Sequence, residues 1–358
     1  MKKLLSFALL CLLATGCGRS PNADSPLAPA QILLVPNYEG NSVTVRAVEP
    51  GDGSTREIIG SPFPLPGHPK MVAVSNDNRF AYVTTQDEGI AGFAVNPGTG
   101  AISQVPGSPF KQVAQTFSAA VHPNGRWLVA VGGKRVTVFN IQMDGSLTPV
   151  PGGSATIVSS KEFDFNPPAL ARNGQFLYVP GGDNGVYGFS IDSASGAVSE
   201  VPQGSYGTVK ALCVHPSGDV LCVPVLNSST LRSFRIAADG QLSDLSNAPL
   251  SYTPIGVVFS KAGKLYVGSS GASGLFGYSV SPMDGTFSAL NGGVGFPGGA
   301  SETNFPAVDP QDRLLYVSAR GNDQVFGFLM DAVGNLTPTA GSPIGGFNKP
   351  DVPALIKF

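Results

Sequence analysis

The residues best suited to chemistry in this chain recur at two points of a repeated unit. The first set lies before or at the start of short apolar segments: Lys70, Asn166, Lys210, Asn304 and Asp351. The second set follows the next apolar segment of a unit: Asn37, Tyr38, Asp87, Asp183 and Arg320. Basic, amide and acidic side chains gathered in one place could bind an anionic or polyhydroxylated ligand, or stabilise an oxyanion. A solvated polar channel would use the same residue types.

Histidines are the other candidates for proton transfer or metal binding, and the chain has 3 of them. His68 lies in a loop that leads into an apolar segment, where it could contact a ligand. His122 and His215 occupy equivalent turns, in "HPNG" and "HPSG", so we interpret both as structural turn residues. The sequence has no Cys-x-x-Cys pair, no Asp-x-Asp series and no Gly-x-Ser-x-Gly motif. It therefore predicts no metal, no cofactor and no nucleophile elbow.

The elements that would hold these residues form a repeat of 44 to 50 residues. Its clearest marker is an apolar segment with one anchor residue per unit: Leu34, Tyr82, Val129, Tyr178, Cys222, Tyr266 and Tyr316. A polar loop follows, then a segment around an aromatic residue such as Phe93, then a turn with glycine such as Gly100. Four short strands per unit, seven units and no helical segment predict an all-β, seven-bladed β-propeller.

The two ends of the repeat region complement each other. The segment from Gln31 supplies three strands without an innermost one, and Val352–Phe358 supplies an innermost strand with nothing after it. Together they predict one blade that closes the ring and leaves no open strand edge. A β-helix or a pair of sandwiches could share this composition, but neither accounts for the complementary ends.

The composition agrees with an all-β chain and limits its partners. The 46 glycines, 31 prolines and 13% charged residues favour many turns between short strands. The formal net charge is -2 and the basic residues form no cluster longer than a pair, which argues against nucleic acid as a partner. We expect a monomer that binds a small molecule, a glycan or a protein at its channel mouth.

The repeated segments resemble those of a known group of propellers. The residues that carry the resemblance are "YVT" at 82–84, "HPNGRWL" from His122 and "HPSGDVL" from His215. They are similar to the seven-bladed lactonase-like propellers, which include the 6-phosphogluconolactonase type and the repeat proteins named for Tyr-Val-Thr-Asn. The resemblance covers residues 31–358 and implies the propeller fold. Members of this group typically carry Pro-Arg-His at an innermost strand, facing the channel, where this chain has Pro69-Lys70-Met71.

Two functions from different classes follow. The first is a binding propeller that is tethered to a membrane and presents its channel and loop face to a ligand or protein partner. The second, which the resemblance implies, is a lactone hydrolase in which water attacks a ring ester and Lys70 or Lys210 stabilises the oxyanion. An exported enzyme would not meet a phosphorylated sugar lactone of the cytosol, so we expect a different lactone as its substrate.

The first residues have the pattern of a lipoprotein signal. Two lysines precede an apolar run from Leu4 to Ala14, and the run ends in "LATGC", which resembles a bacterial lipobox with Cys17 as the lipidated residue. An ordinary cleaved signal is the alternative. Gly18 as the second mature residue favours the outer membrane if the cell is Gram-negative. The expected segments are a signal peptide at 1–16, a flexible tether at 17–30 and the propeller at 31–358.

Two cysteines flank one of the predicted tight turns. Cys213 lies four residues before the Ser217-Gly218 turn and Cys222 four residues after it. A two-residue turn would place the two side chains opposite each other on neighbouring strands. In an exported protein they could form a disulfide, and the alternative is a pair of buried free thiols.

The lipidation hypothesis predicts the behaviour of one variant. If Cys17 becomes the mature N-terminus, Cys17→Ser removes the acylated thiol, so the protein should leave the membrane fraction and take up no fatty-acid label. Membrane partitioning and metabolic labelling of both proteins measure this. A variant that still partitions like the unchanged protein would contradict the anchor.

Overall fold

The computed structural model describes residues 28–111, 115–157, 166–269, 274–290, 294–296 and 302–358, apart from the side chains of Thr303 and Asn304. The described residues form seven antiparallel sheets, each of four or five strands. At most junctions between successive sheets the innermost strands contact one another, so the sheets stand as blades around a central axis. The predicted all-β, seven-bladed propeller is confirmed.

Six blades use strands that follow one another in the chain, from the axis outward. Blade 2 comprises Pro69–Val74, Phe80–Thr85, Gly89–Val95 and Ile102–Gln104. Blade 3 comprises Thr116–Val121, Trp127–Gly132, Arg135–Ile141 and Leu147–Thr156. Blade 4 comprises Ala169–Ala171, Phe176–Pro180, Val186–Ile191 and Val198–Val201. Blade 5 comprises Cys213–Val214, Val220–Val225, Thr230–Ile236 and Leu242–Pro249.

The remaining blades follow the same plan. Blade 6 comprises Pro254–Phe259, Lys264–Ser269, Gly274–Val280, Phe287–Ala289 and Val294–Gly295. Blade 7 comprises Thr303–Val308, Leu314–Ala319, Gln324–Met330 and Leu336–Pro338. Two single-turn 3-10 helices occur in loops, at Arg172–Gly174 and Arg320–Asn322.

Blade 1 combines both ends of the described chain. Its strands, from the axis outward, are Ala354–Lys357, Gln31–Asn37, Ser42–Val48 and the outer pair Thr55–Glu57 and Phe63–Pro64. The C-terminal strand pairs antiparallel with the first strand, with Ile32 opposite Ile356 and Leu34 opposite Ala354. The predicted closure of the ring is confirmed, and the closing strand is shorter than the segment expected from the sequence.

In six of the seven blades the second strand is buried along its whole length. All six residues of Phe80–Thr85 and of Trp127–Gly132 are buried. Each blade lies between two others, so both faces of its sheet are covered and the strands are apolar runs rather than alternating ones. This explains why one apolar anchor segment per unit was the clearest marker in the sequence.

A buried tyrosine hydroxyl joins many of the blades to the next. The anchor tyrosine of one blade donates to the carbonyl of a turn glycine in the following blade: Tyr82 to Gly145 at 3.0 Å, Tyr178 to Gly240 at 2.8 Å, Tyr266 to Gly334 at 2.8 Å and Tyr316 to Gly53 at 2.7 Å. Blade 5 has a cysteine at its anchor position, and there Ser233 donates to the Gly285 carbonyl at 2.8 Å.

Apolar side chains fill the channel below its mouth. One buried cluster includes residues from the innermost segments of five blades: Val352, Met71, Ala211, Val257 and Phe305. The Ala119 N–H of blade 3 also donates to the Met71 sulfur at 3.2 Å. Among the described residues, the innermost segments of these blades therefore share one apolar cluster.

Ring closure generates a test of the shared blade. Deleting residues 352–358 removes the closing strand and leaves the apolar first strand with an unpaired edge, so we expect aggregation or loss of cooperative unfolding. Removing Phe358 alone, which lies outside the strand, is the matched control. Size-exclusion chromatography and urea unfolding measure the effect. A long deletion as soluble and stable as the control would mean that the ends do not share a blade.

Candidate functional site

The closing strand brings two charged residues together at the channel mouth. Lys70 is the second residue of the innermost strand of blade 2, and Asp351 precedes the innermost strand of blade 1. The Val352 N–H donates to the Lys70 carbonyl at 3.0 Å, and Met71 and Val352 form a parallel bridge. These backbone contacts set the two charged side chains side by side.

The Asp351 carboxylate lies between two cations. Its Oδ2 is 3.8 Å from Lys70 Nζ and 3.8 Å from Nη1 of Arg320, which follows the second strand of blade 7. The exposed fractions of the Lys70 and Asp351 side chains are only 12% and 10%. Burial raises the pKa of Asp351 above its usual value, while Lys70 and Arg320 act in the opposite direction. The three side chains form a partly desolvated cluster with more positive than negative groups.

The ring of Tyr38 packs against the cationic side chains of this cluster. Lys70 Nζ lies 4.0 Å from the ring centroid and the Arg320 guanidinium carbon 4.4 Å from it, both at cation–π distance. The Tyr38 hydroxyl donates to Gln86 Oε1 at 3.0 Å. The His68 ring packs against the same tyrosine, with centroids 4.8 Å apart. One aromatic side chain therefore contacts both cations and a histidine.

His68 and Asp87 form a hydrogen-bonded pair at the rim. His68 Nδ1 lies 2.6 Å from Asp87 Oδ2, and the two side chains are 42% and 49% exposed. The Gln86 N–H also donates to the His68 carbonyl at 2.9 Å, which ties the two loops together. Because a carboxylate accepts the Nδ1–H, the neutral ring carries its lone pair on Nε2, where it can take a proton from a bound water.

We call Tyr38, His68, Lys70, Gln86, Asp87, Arg320 and Asp351 the mouth cluster. Blades 1, 2 and 7 supply all its members. The sequence singled out each of them except Gln86, which no sequence signal marks. Its role becomes visible only through its contact with Tyr38.

Two other candidates lie on blades 5 and 4, and the side chain of a third is outside the described residues. Lys210 is exposed on a bend of blade 5, and Asn166 precedes the innermost strand of blade 4. Neither residue belongs to blades 1, 2 or 7, which supply the mouth cluster. The side chain of Asn304 is outside the described residues, as are Cys17 and the signal at 1–16. Of the tether at 17–30, only its last three residues are described.

The two cysteines of blade 5 lie opposite each other as predicted. Cys213 pairs in register with Cys222, and both are free thiols. The His215 N–H donates to the Val220 carbonyl at 2.8 Å, and alternation from that pair makes the cysteines a hydrogen-bonded pair. Burial raises the pKa of both thiols well above the usual value, so they stay protonated.

His122 and His215 lie at the opposite face and support turns. Their Nδ1 atoms accept the backbone N–H of Asn124 and of Ser217, each at 3.1 Å. Both rings are nearly buried, and burial lowers the pKa of each. The predicted structural role agrees with these contacts.

We found no group of three or more potential metal-ligating side chains among the described residues. No helix in the described ranges combines the length and apolar character that crossing a membrane requires.

The turn histidines should make stability depend on pH. Burial lowers their folded-state pKa below 6.5, so on acidification below that value the unfolded chain binds protons that the folded chain does not. The free energy of unfolding should therefore fall as the pH drops below 6.5. Urea unfolding at a series of pH values on both sides of 6.5 measures it. Replacing both histidines by asparagine, whose amide oxygen can accept the same N–H, should flatten the slope, and an unchanged slope would refute the assignment.

The chain shares sequence with one curated lactonase over part of its length. No protein-family model matches it. It is 32% identical over 134 residues to the 6-phosphogluconolactonase of Serratia proteamaculans (strain 568), which covers 37% of this chain and 39% of that protein. The chain therefore matches about two fifths of the length of this relative.

Solved structures are similar over nearly the whole chain. The periplasmic gluconolactonase of Pseudomonas aeruginosa has a TM-score of 0.73 at 20% identity, over 91% of this chain and 99% of that one. A candidate 6-phosphogluconolactonase of Bacteroides fragilis also has a TM-score of 0.73, at 17% identity, over 93% and 100% of the two chains. Hydrazine synthase of Kuenenia stuttgartiensis has a TM-score of 0.61 at 15% identity, over 89% and 100%, so this fold accompanies more than one activity. The chain is a seven-bladed β-propeller that resembles the 6-phosphogluconolactonase-type and gluconolactonase-type structures.

Proposed function

We propose that the chain is an exported hydrolase that opens a lactone ring at the mouth cluster. The observation that carries the proposal is the His68–Asp87 pair, which lies against the same tyrosine as the Lys70 and Arg320 cations. A histidine oriented by a carboxylate can activate water, and nearby cations can stabilise the negative charge that the attack creates. Ester hydrolysis needs both groups on one substrate.

The reaction follows from these positions. His68 Nε2 takes a proton from water while the water oxygen bonds to the lactone carbonyl carbon. The carbonyl oxygen becomes an oxyanion, which Lys70 or Arg320 stabilises. The bond between the carbonyl carbon and the ring oxygen then breaks, and His68 returns its proton to that oxygen. The product is an open-chain hydroxy acid.

Side chains from other positions of the chain compensate for the missing Pro-Arg-His pattern. Lys70 occupies the position of the arginine in "HPK", and the mouth cluster recruits a histidine one residue before the proline and an arginine from blade 7. An imidazole, a guanidinium and an ammonium therefore meet at the mouth, though from different strands than the family pattern uses.

The comparisons and the N-terminal pattern support the substrate class and compartment. One partial relative is named as a 6-phosphogluconolactonase, and one protein of similar fold is named as a periplasmic gluconolactonase. The signal at 1–16 supports export, with lipidated Cys17 as the anchor. An exported enzyme meets unphosphorylated sugar lactones, so we propose these as the substrates.

Ligand binding without turnover is the second candidate. Asp351 is close to both cations and almost buried, so part of their charge is already compensated inside the protein. A site of that kind can hold a polar ligand or a protein loop and catalyse nothing. The two candidates differ in whether His68 acts on water.

Variants of the mouth cluster test the proposal on glucono-1,5-lactone, followed by proton release. His68→Asn keeps a polar side chain of similar size but removes the base, so kcat should fall about 10²–10⁴-fold. Lys70→Gln should lower kcat/KM about tenfold or more, because a charge-assisted contact is lost. Lys210→Gln, an exposed lysine across the ring, is the matched control and should leave the rate unchanged.

The outcome separates the two candidates. If His68→Asn hydrolyses the lactone like the unchanged protein, the proposed mechanism is wrong. If the unchanged protein binds the lactone or its acid in calorimetry without releasing protons above the uncatalysed rate, the binding candidate replaces it.

A further inference from the structure

One turn of the propeller breaks the rule that the others follow. Just after the innermost strand, a side chain accepts a backbone N–H from the turn or from the first residue of the next strand. The residues that do so are Ser75, His122, His215, Ser260 and Asp309. Blade 4 has Ala171 at this position, and its turn has no side-chain cap. A methyl group cannot accept a hydrogen bond, so the blade 4 turn lacks the support that the other blades have.

The backbone of the same turn is strained. The residue after the cap position is proline in blades 3, 5 and 7, and proline requires a negative φ. In blade 4 it is Arg172, with φ 47, followed by Asn173 with φ 57. Non-glycine side chains rarely adopt this left-handed region, and such residues concentrate where a protein binds or reacts.

The altered turn borders a pocket between blades 4 and 5. The pocket has a volume of about 560 Å³, within the ~300–1,000 Å³ range of small-molecule sites. Arg172, Asn173 and Gln175 form one wall, and the segment 215–219 forms the other. The turns lie at the far ends of the innermost strands from the mouth, so this blade 4–5 pocket opens on the opposite face.

The charged groups of the pocket leave one donor without an acceptor. Arg172 Nη2 donates to the Ile236 carbonyl at 2.7 Å and lies 3.1 Å from Asp219 Oδ1. Arg172 Nε is buried and has no hydrogen-bond partner among the described residues. A buried N–H without a partner costs free energy, which a ligand oxygen would recover. Asp219 is 43% exposed, so its carboxylate can turn to water when another acceptor takes its place.

We propose that the blade 4–5 pocket is a second binding site, for a small hydroxycarboxylate. The planar guanidinium of Arg172 matches a carboxylate, and when the partly exposed side chain turns from Asp219 towards the ligand its Nε–H gains an acceptor. Asn173, Gln175 and Ser217 line the pocket and supply amide and hydroxyl groups for the hydroxyls of the ligand. Asp219 competes with the ligand carboxylate for Arg172. The site rests on residues outside the mouth cluster and stands independently of lactone hydrolysis.

NMR signals of histidine ring protons can report on each site separately, since the chain has only 3 histidines. His215 lines the blade 4–5 pocket, and His68 belongs to the mouth cluster. We use gluconate as the probe and sorbitol, which has the same carbon chain but no carboxylate, as the matched control ligand. Gluconate should shift the His215 signals in a saturable way, and sorbitol at equal concentration should not.

Two substitutions in the pocket have opposite predicted signs. Arg172→Gln should weaken the binding reported by His215 about tenfold or more, because a charge-assisted contact is lost. Asp219→Asn should tighten it, because the competing carboxylate is gone. Lys261→Gln changes the equivalent turn position of blade 6 and should leave the affinity unchanged. Arg172→Gly, which relieves the positive φ, should keep the fold and still lose the binding.

The proposal is overturned if gluconate shifts only His68, or if sorbitol shifts His215 equally. Undiminished affinity in a folded Arg172→Gly protein would overturn it as well. Weaker binding in Asp219→Asn would show that Asp219 is a ligand-binding group and not a competitor, which also contradicts the site as described.

Discussion

No blade of this propeller can leave a broad face to water, because the second strand of each blade is almost entirely buried. Each blade depends on its two neighbours for burial, and the buried tyrosine hydroxyls complete that contact with a hydrogen bond to a turn glycine of the next blade. Burial raises the pKa of these tyrosines, so the hydroxyls stay protonated and keep donating. These glycines cannot be replaced by a larger residue without a clash: a Cβ on Gly145 would lie 2.4 Å from the Phe80 ring.

The same constraint decides where the mouth cluster lies. Tyr316 of blade 7 donates to Gly53 of blade 1, and the C-terminal strand completes blade 1 at the axis. That strand follows Asp351 directly, and Asp351 is the carboxylate that holds Lys70 and Arg320 together. The same C-terminal segment therefore completes blade 1 and brings the charged cluster together.

Two of the departures from the repeat have different consequences. Blade 5 replaces the anchor tyrosine by Cys222, and Ser233 supplies the hydrogen bond from the neighbouring strand, so the contact between blades survives. Blade 4 replaces the turn cap by Ala171 without any substitute, and the turn adopts a left-handed backbone at Arg172. The first departure preserves the packing, whereas the second lies beside the blade 4–5 pocket. A repeat protein can vary a position freely only where no neighbour depends on it.

The sequence alone determined the repeat, the number of blades and the closure by both ends. These features depend on the order of strands and turns along the chain, which apolar runs and glycine positions mark locally. The sequence also placed Lys70 and Lys210 at equivalent points of their units, but it did not predict which residues contact either lysine. Only the tertiary structure decided that the ring separates these lysines and joins Lys70 to Tyr38, Arg320 and Asp351 instead. The sequence also could not predict the state of Cys213 and Cys222 or the positive φ of Arg172. Contacts between distant side chains and the φ angle of a single turn residue leave no periodic pattern in a sequence.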